Sequence, residues 1–297
     1  ITKSSLNKLV DIGNLFVPGP GLGKFAYERS FSGHNSWSLC GITHTTSSSN
    51  AMDCISSLVT SPVQEWDALI CTSTVARSNI IKIFEVEEEN LRHKLKASNF
   101  IRPQLPIIPL GIDSSEFKFT KAERNNAKNN FNIINNEIVI LYVGRLSFHA
   151  KSNPFQMYSS LEEVARISKR KIVLIECGLY ANEGIKEAFY KASASLCPSI
   201  NIIRINGGGN NDKLKAFAAA DIFCSLSDNI QETFGITPVE AMASGLPVIV
   251  SDWNGYKDTI RDGVDGYCIP TFMPESGNGI DFAMRYALDV DNYDMYV

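Results

Sequence analysis

Between residues 137 and 252 the chain repeats one pattern that leaves little freedom in its fold. Five short, nearly continuous apolar runs recur: EIVILYVG (137–144), KIVLIECG (171–178), SINIIRING (199–207), ADIFCSLS (220–227) and LPVIVSD (246–252). Strands buried on both faces have this composition, because neither face meets water. Between the runs lie FQMYSSLEEVARISK (155–169), ANEGIKEAFYKASASL (181–196) and NDKLKAFAAA (211–220), with apolar residues at helical spacing. Strands alternating with helices call for right-handed crossovers and therefore a parallel sheet, so this half is expected to be a Rossmann-like domain.

The earlier part of the chain carries weaker signals of the same class. HNSWSLCGITH (34–44), WDALICTS (66–73) and LPIIPLGID (105–113) read as strands, the last ending in a turn at Asp113, and residues 74–96 read as a helix. These are too few strands for a complete domain, which predicts a truncated N-terminal domain whose first strand lies before Ile1. A polar stretch at 114–136, rich in Lys and Asn, reads as a junction. The expected domains are 1–116 and 117–297, each α/β. The closing DFAMRYALDVDNYDMYV (281–297) reads as a helix still in progress, so both ends are taken as truncations.

Composition narrows the partners. A net charge of −4 gives no reason to expect a nucleic acid. No apolar run approaches the roughly 20 residues of a membrane span. The seven cysteines are scattered without a CxxC pair, so they read as buried small hydrophobes in a reducing cytoplasm rather than as a zinc site. No cluster of carboxylates and histidines suggests any other metal.

Two segments carry chemistry. In DNIQETFGITPVEAMASGLPVIVSDWNGYKDTIRDGVDGYCIP (228–270), Thr237 is placed to cap a helix with Pro238 at its first position and Glu240 three after the cap. That helix should stop at Gly245, ahead of Pro247. Its N-terminus would lie at the carboxyl end of a parallel sheet, where N–H groups and the helix dipole favour an anion such as pyrophosphate. Glu232 precedes the helix in a loop loosened by Gly235. Taken singly, Glu240 reads equally as half of a capping box and Glu232 as a solvated loop charge.

In LYVGRLSFHAKSNP (141–154), Gly144 opens a turn after a strand, and Arg145 and Lys151 follow. Two cations beyond a strand end can hold a diphosphate, Arg through its fork and Lys as a point charge. Alone, the same pair reads as surface charge. His149 in this loop is read as incidental. His44 follows a strand and sits among Thr45 and Thr46, as a ligand residue or as a structural histidine satisfied by backbone. The glycines of NGGGNNDKL (206–214) would let backbone approach a flat base. GPGLG (19–23 with its preceding Val17-Pro18) lacks the strand and spacing of a dinucleotide loop and reads as a Gly-Pro loop.

Together these residues resemble the donor-site signature of glycosyltransferase family 4, the retaining enzymes of the GT-B fold, in which two Rossmann-like domains face a cleft. The resemblance rests on the glutamate pair Glu232 and Glu240, the TFG and EAMASGLPVIVSD around them, and the G-R-L…K element at 144–151, where Ser152 departs from the usual glycine. It implies that Glu240 holds ribose hydroxyls, Glu232 the transferred sugar, and Arg145 and Lys151 the pyrophosphate. It implies that backbone at Phe234, Gly235 and Ile236 approaches the phosphates, that Gly207 and Gly208 lie by the base, and that His44 positions the donor sugar. The implied activity is transfer of a hexose-type sugar, with retention and without a metal or cofactor. The donor is a nucleoside-diphosphate sugar, and the acceptor hydroxyl lies on a carbohydrate, a lipid or another molecule. Peripheral contact with a membrane surface is compatible with it. A catalytically inactive sugar-nucleotide-binding protein, or an epimerase on the same fold, are the alternatives.

Overall fold

The structure is a computed structural model that describes residues 6–134, 136–148, 151, 153–230, 232–272, 275 and 277–290. The chain divides into two compact units, Ile1–Leu110 and Gly111–Val297.

The first unit alternates helices and parallel strands: α1 (Leu6–Ile12), β1 (Asn14–Val17), α2 (Leu22–Ser30), β2 (Ser38–Ile42), α3 (Ser49–Ser56), β3 (Ala68–Ile70) and α4 (Thr74–Leu95). The sheet order is β1-β2-β3, all parallel. Leu22, Leu39, Ile55, Leu69, Ile80 and Phe84 form its core. Arg29 and Asp67, both fully buried, lock α2 to the sheet through two guanidinium–carboxylate bonds of 2.6 and 2.8 Å. The second oxygen and the first also accept from Gln64 N and Leu39 N, so the buried carboxylate is saturated.

Two expectations are corrected here. The Gly-Pro loop at 19–23, expected to lack a preceding strand, directly follows β1. That strand's short, half-exposed edge carries an Asn-Leu-Phe-Val alternation too brief to stand out in sequence. Conversely, 105–113 is not a strand. Only isolated bridges at Gln104 and Ile107 follow the edge of β3, because Pro103, Pro106 and Pro109 remove the donors a ladder needs.

The second unit holds α5 (Lys121–Asn130), β4 (Ile138–Val143), α6 (Phe155–Ser168), β5 (Ile172–Gly178), α7 (Glu183–Leu196), β6 (Asn201–Asn206), α8 (Asn210–Ala219), β7 (Ile222–Ser225), α9 (Ile236–Ala243), β8 (Val248–Asp252), β9 (Gly266–Pro270) and α10 (Ile280–Ala287). Its sheet runs β6-β5-β4-β7-β8-β9, every pair parallel. That is the doubly wound order, with β4 and β7 adjacent at the point where the winding reverses.

The strands are apolar on both sides because each feeds two cores. Val139, Leu141 and Val143 of β4 face a core with Ala216, Phe217 and Ala241, while Ile140 and Tyr142 face another with Tyr158, Leu161 and Phe189. The stretch read as a junction contains α5, started by a capping box between Thr120 and Glu123 and packed through Ala127 into the first of these cores. Asp113 is a turn residue as expected, its Oδ1 accepting from Ser115 N at 2.9 Å. Of the closing segment, α10 stops at Ala287, and residues 291–297 lie outside the described residues.

Candidate active site

Of three neighbouring strands, β5 ends on Gly178, and β4 and β6 are followed at once by Gly144 and Gly207. A Cβ on Gly178 would fall 1.9 Å from the Gly144 carbonyl oxygen, and one on Gly207 would fall 2.9 Å from Gly178 Cα. Bare backbone is therefore required where these strand ends meet, and the result is a ridge without side chains at the carboxyl edge of the sheet. Gly208 is tied back, its N–H donating to Asn206 Oδ1 at 2.9 Å.

The charged residues stand beside this ridge, around β4 and β7. Arg145 is exposed and its carbonyl accepts from the Tyr142 hydroxyl at 3.0 Å. Lys151 and Glu232 form an ion pair with only 17% and 10% of their side chains exposed. Ser227 Oγ lies beneath both, 2.8 Å from the Lys151 carbonyl oxygen and 3.4 Å from Glu232 Oε2. The Glu232 loop is pinned from the far side: Gly255 N donates to Glu232 O at 3.0 Å, and Trp253 Nε1 donates to Asn229 O at 3.0 Å. His149 and Ser152 lie outside the described residues.

From Glu232 the chain turns through Phe234, which is buried, into Gly235 at φ +81 and then into α9 at Ile236. Gly235 is the helix cap, so the expected cap at Thr237 is corrected. Thr237 sits inside the first turn with its hydroxyl buried and without a partner among the described residues. The physical reason is packing. A Cβ at Gly235 would meet the Tyr256 ring at 2.0 Å, so only glycine lets the chain enter the helix over that ring. Tyr256 is fully buried and bonds Ser225 Oγ at 2.9 Å, and burial pushes its phenol well above the usual range. The first-turn N–H groups of α9 have no partner within the helix and mark a local positive end.

Glu240 does not close a capping box. Its Oε1 accepts from Lys213 Nζ on α8 at 2.7 Å, while Oε2 is buried with no partner among the described residues. Burial raises the Glu240 pKa, and the Lys213 bond pulls it part of the way back. Lys213 was not picked out in the sequence, although it follows the glycine run by one helical turn. Ser227, Gly255 and Tyr256 were also missed, since each acts through a contact distant in sequence. His44 lies in the first unit, exposed, just past β2.

Cations, carboxylates and a helix start thus gather at a topological switch point, where open α/β sheets bind ligands. A sequence profile of the glycosyl transferases group 1 family matches residues 123–283, more than half of the chain. The chain belongs to that family. This group 1 glycosyltransferase is 23% identical to a D-inositol 3-phosphate glycosyltransferase of Nocardia farcinica over 183 residues, 61% of the chain and 40% of that protein. It is 44% identical to a phosphatidyl-myo-inositol mannosyltransferase of Mycobacterium leprae over 59 residues, 20% of the chain and 15% of that protein. The chain spans less than half the length of these curated relatives. Among solved structures, Anabaena HepE in complex with UDP superposes with a TM-score of 0.66 at 16% identity, covering 98% of this chain and 74% of HepE. HepE in complex with UDP-glucose gives 0.62 at 17% identity over 98% and 74%. At these identities the likeness is one of fold, and the two units are the Rossmann-like domains of the GT-B architecture.

Proposed function

We propose that the chain is the catalytic part of a retaining glycosyltransferase, which moves a hexose-type sugar from a nucleoside-diphosphate sugar to an acceptor hydroxyl. The observation that carries this reading is the gathering of Arg145, Lys151, Glu232 and Glu240 around the β4–β7 switch point, beside the glycine ridge. In this reading Arg145 and Lys151 hold the pyrophosphate together with backbone at Phe234, Gly235 and Ile236. As the glycosidic bond breaks, charge grows on the leaving diphosphate, and preorganised cations stabilise it more in the transition state than in the ground state. They supply the charge that a divalent ion provides in other transferases. Glu240 offers its unpartnered Oε2 to ribose hydroxyls, and Glu232 bonds the transferred sugar. The base lies along Gly207 and Gly208, with Lys213 at hand.

The residues 1–116 present the acceptor, a carbohydrate, lipid or other hydroxyl, and His44 there positions the donor sugar. The residues 117–297 hold the donor. No helix among the described residues is long and apolar enough to cross a membrane, and a cytoplasmic enzyme meeting lipid acceptors at a membrane surface fits this reading.

Titration calorimetry with UDP, GDP and ADP tests it. One nucleotide should bind, and Arg145→Ala and Glu240→Ala should each weaken it by roughly 1.5–3 kcal/mol, the worth of a hydrogen bond to a charged group. HepE was solved with UDP and UDP-glucose, so UDP comes first. Folded protein that binds none of the three would overturn the donor site.

A further inference from the structure

The two cation–glutamate pairs of the site differ in what binding must undo. Glu240 keeps Lys213 on one oxygen, and its other oxygen is buried without a partner among the described residues, so accepting a hydroxyl there does not require breaking the Lys213 bond. Lys151 and Glu232 are bonded to each other. A diphosphate that draws Lys151 toward itself weakens this pair and sets its own negative charge beside the Glu232 carboxylate. That carboxylate cannot withdraw with its loop, because Glu232 N donates to Asn229 O at 3.3 Å and Gly255 N holds Glu232 O at 3.0 Å. With 10% of its side chain exposed, its charge is poorly screened.

We infer that Glu232 discriminates between the sugar-bearing donor and the nucleoside diphosphate left after transfer. The inference rests on the donor-site reading above. A nucleotide sugar compensates Glu232 for the weakened Lys151 pair by bringing hydroxyls that donate to it. A bare nucleoside diphosphate brings none. It also carries an ionised terminal phosphate, so it places more negative charge beside a carboxylate whose pairing with Lys151 is weakened. Glu232 therefore weakens product binding more than donor binding and draws Lys151 back as the product departs.

Calorimetry on the full chain tests this with UDP against UDP-glucose and, in parallel, GDP against GDP-mannose. Glu232→Gln should bind the diphosphate about ten-fold tighter, the scale of one charge-assisted contact. It should change affinity for the sugar nucleotide by less than about two-fold, because the amide oxygen still accepts from hydroxyls. In a Lys151→Met background, where there is no pair to break, the same substitution should lose most of that gain. Glu232→Ser serves as the second variant should the glutamine protein not fold. An unchanged ratio of diphosphate to sugar-nucleotide affinity overturns the inference, as does a gain that persists undiminished without Lys151. If nucleotide binds and Arg145→Ala weakens it while the ratio stays put, only the inference falls. If folded protein binds neither pair, the donor-site reading falls with it.

Discussion

Lys151 and Glu232 meet between two loops, whereas Lys213 and Glu240 meet between two helices. Both pairs are mostly buried, with exposures of 17% and 10% in the first and 23% and 8% in the second. Their supports are not alike. Lys213 and Glu240 ride on α8 and α9, which share a core with β4, β5 and β8. Glu232 is held by one backbone bond from Gly255 in the turn after β8 and one to Asn229 in its own loop, and Lys151 by the Ser227 hydroxyl beneath it. Rigid helices suit a contact that keeps one geometry through the reaction. Loops pinned at the backbone, with the side chain able to swing, suit a contact that changes partners.

Gly235 joins the two regions, and its substitution should have the largest effect. Gly235→Ala forces a Cβ into the Tyr256 ring at a positive φ, which should cost about 3 kcal/mol or more of stability and abolish nucleotide binding. Denaturant midpoints and calorimetry check both. Survival of binding would mean that the loop and helix pairs are independent.

Next comes Lys213→Met, which strands the buried Glu240 charge and should cost ~3 kcal/mol, read from urea unfolding. A comparable loss from Lys151→Met would erase the distinction between the pairs.

The third effect is one of pH. Burial holds the Glu240 pKa above the ordinary carboxylate value. As pH falls, Glu240 takes up its proton earlier than an exposed glutamate, and the neutral acid accepts fewer bonds from ribose. Nucleotide affinity should therefore decline above the usual glutamate range, and Glu240→Gln should remove that limb. The linkage to stability has the opposite sense: the folded chain binds this proton more tightly than the unfolded one, so Glu240's contribution to stability falls as pH rises between the two pKa values. Lys213→Met should move the affinity loss to higher pH, while Glu232→Gln should leave it in place.

The smallest effect should come from Ser227→Ala. Losing the hydroxyl under Lys151 and Glu232 should cost ~1 kcal/mol of stability and loosen only the loop pair, seen as weaker nucleotide binding with the Glu240-linked pH limb unchanged.

Much of the second unit was legible. The continuous apolar runs identified β4, β5, β6, β7 and β8, and helical spacing identified α6, α7 and α8, because strands buried on both faces and helices buried on one have distinct periods. The first unit was less so. Asn14–Val17 is four residues with a half-exposed pattern, and α5 is so polar that its composition resembles a linker. Residues 105–113 looked like a strand through their apolar content, and three prolines decided otherwise. At the site, the residue types of Arg145, Lys151, Glu232 and Glu240 were readable, but their partners were not.

The sequence by itself determined the alternation of strands and helices, hence a parallel sheet, and the placement of cations and glutamates after particular strands. Those are properties of neighbours along the chain. Only the tertiary structure decided which cation meets which carboxylate, that Gly235 and not Thr237 starts α9, and that three glycines form a continuous ridge. Lys213 and Glu240 are separated by 27 positions, and Lys151 and Glu232 by 81. Their pairing follows from the order in which strands lie in the sheet, where backbone hydrogen bonding and packing on both faces bring distant loops to one edge.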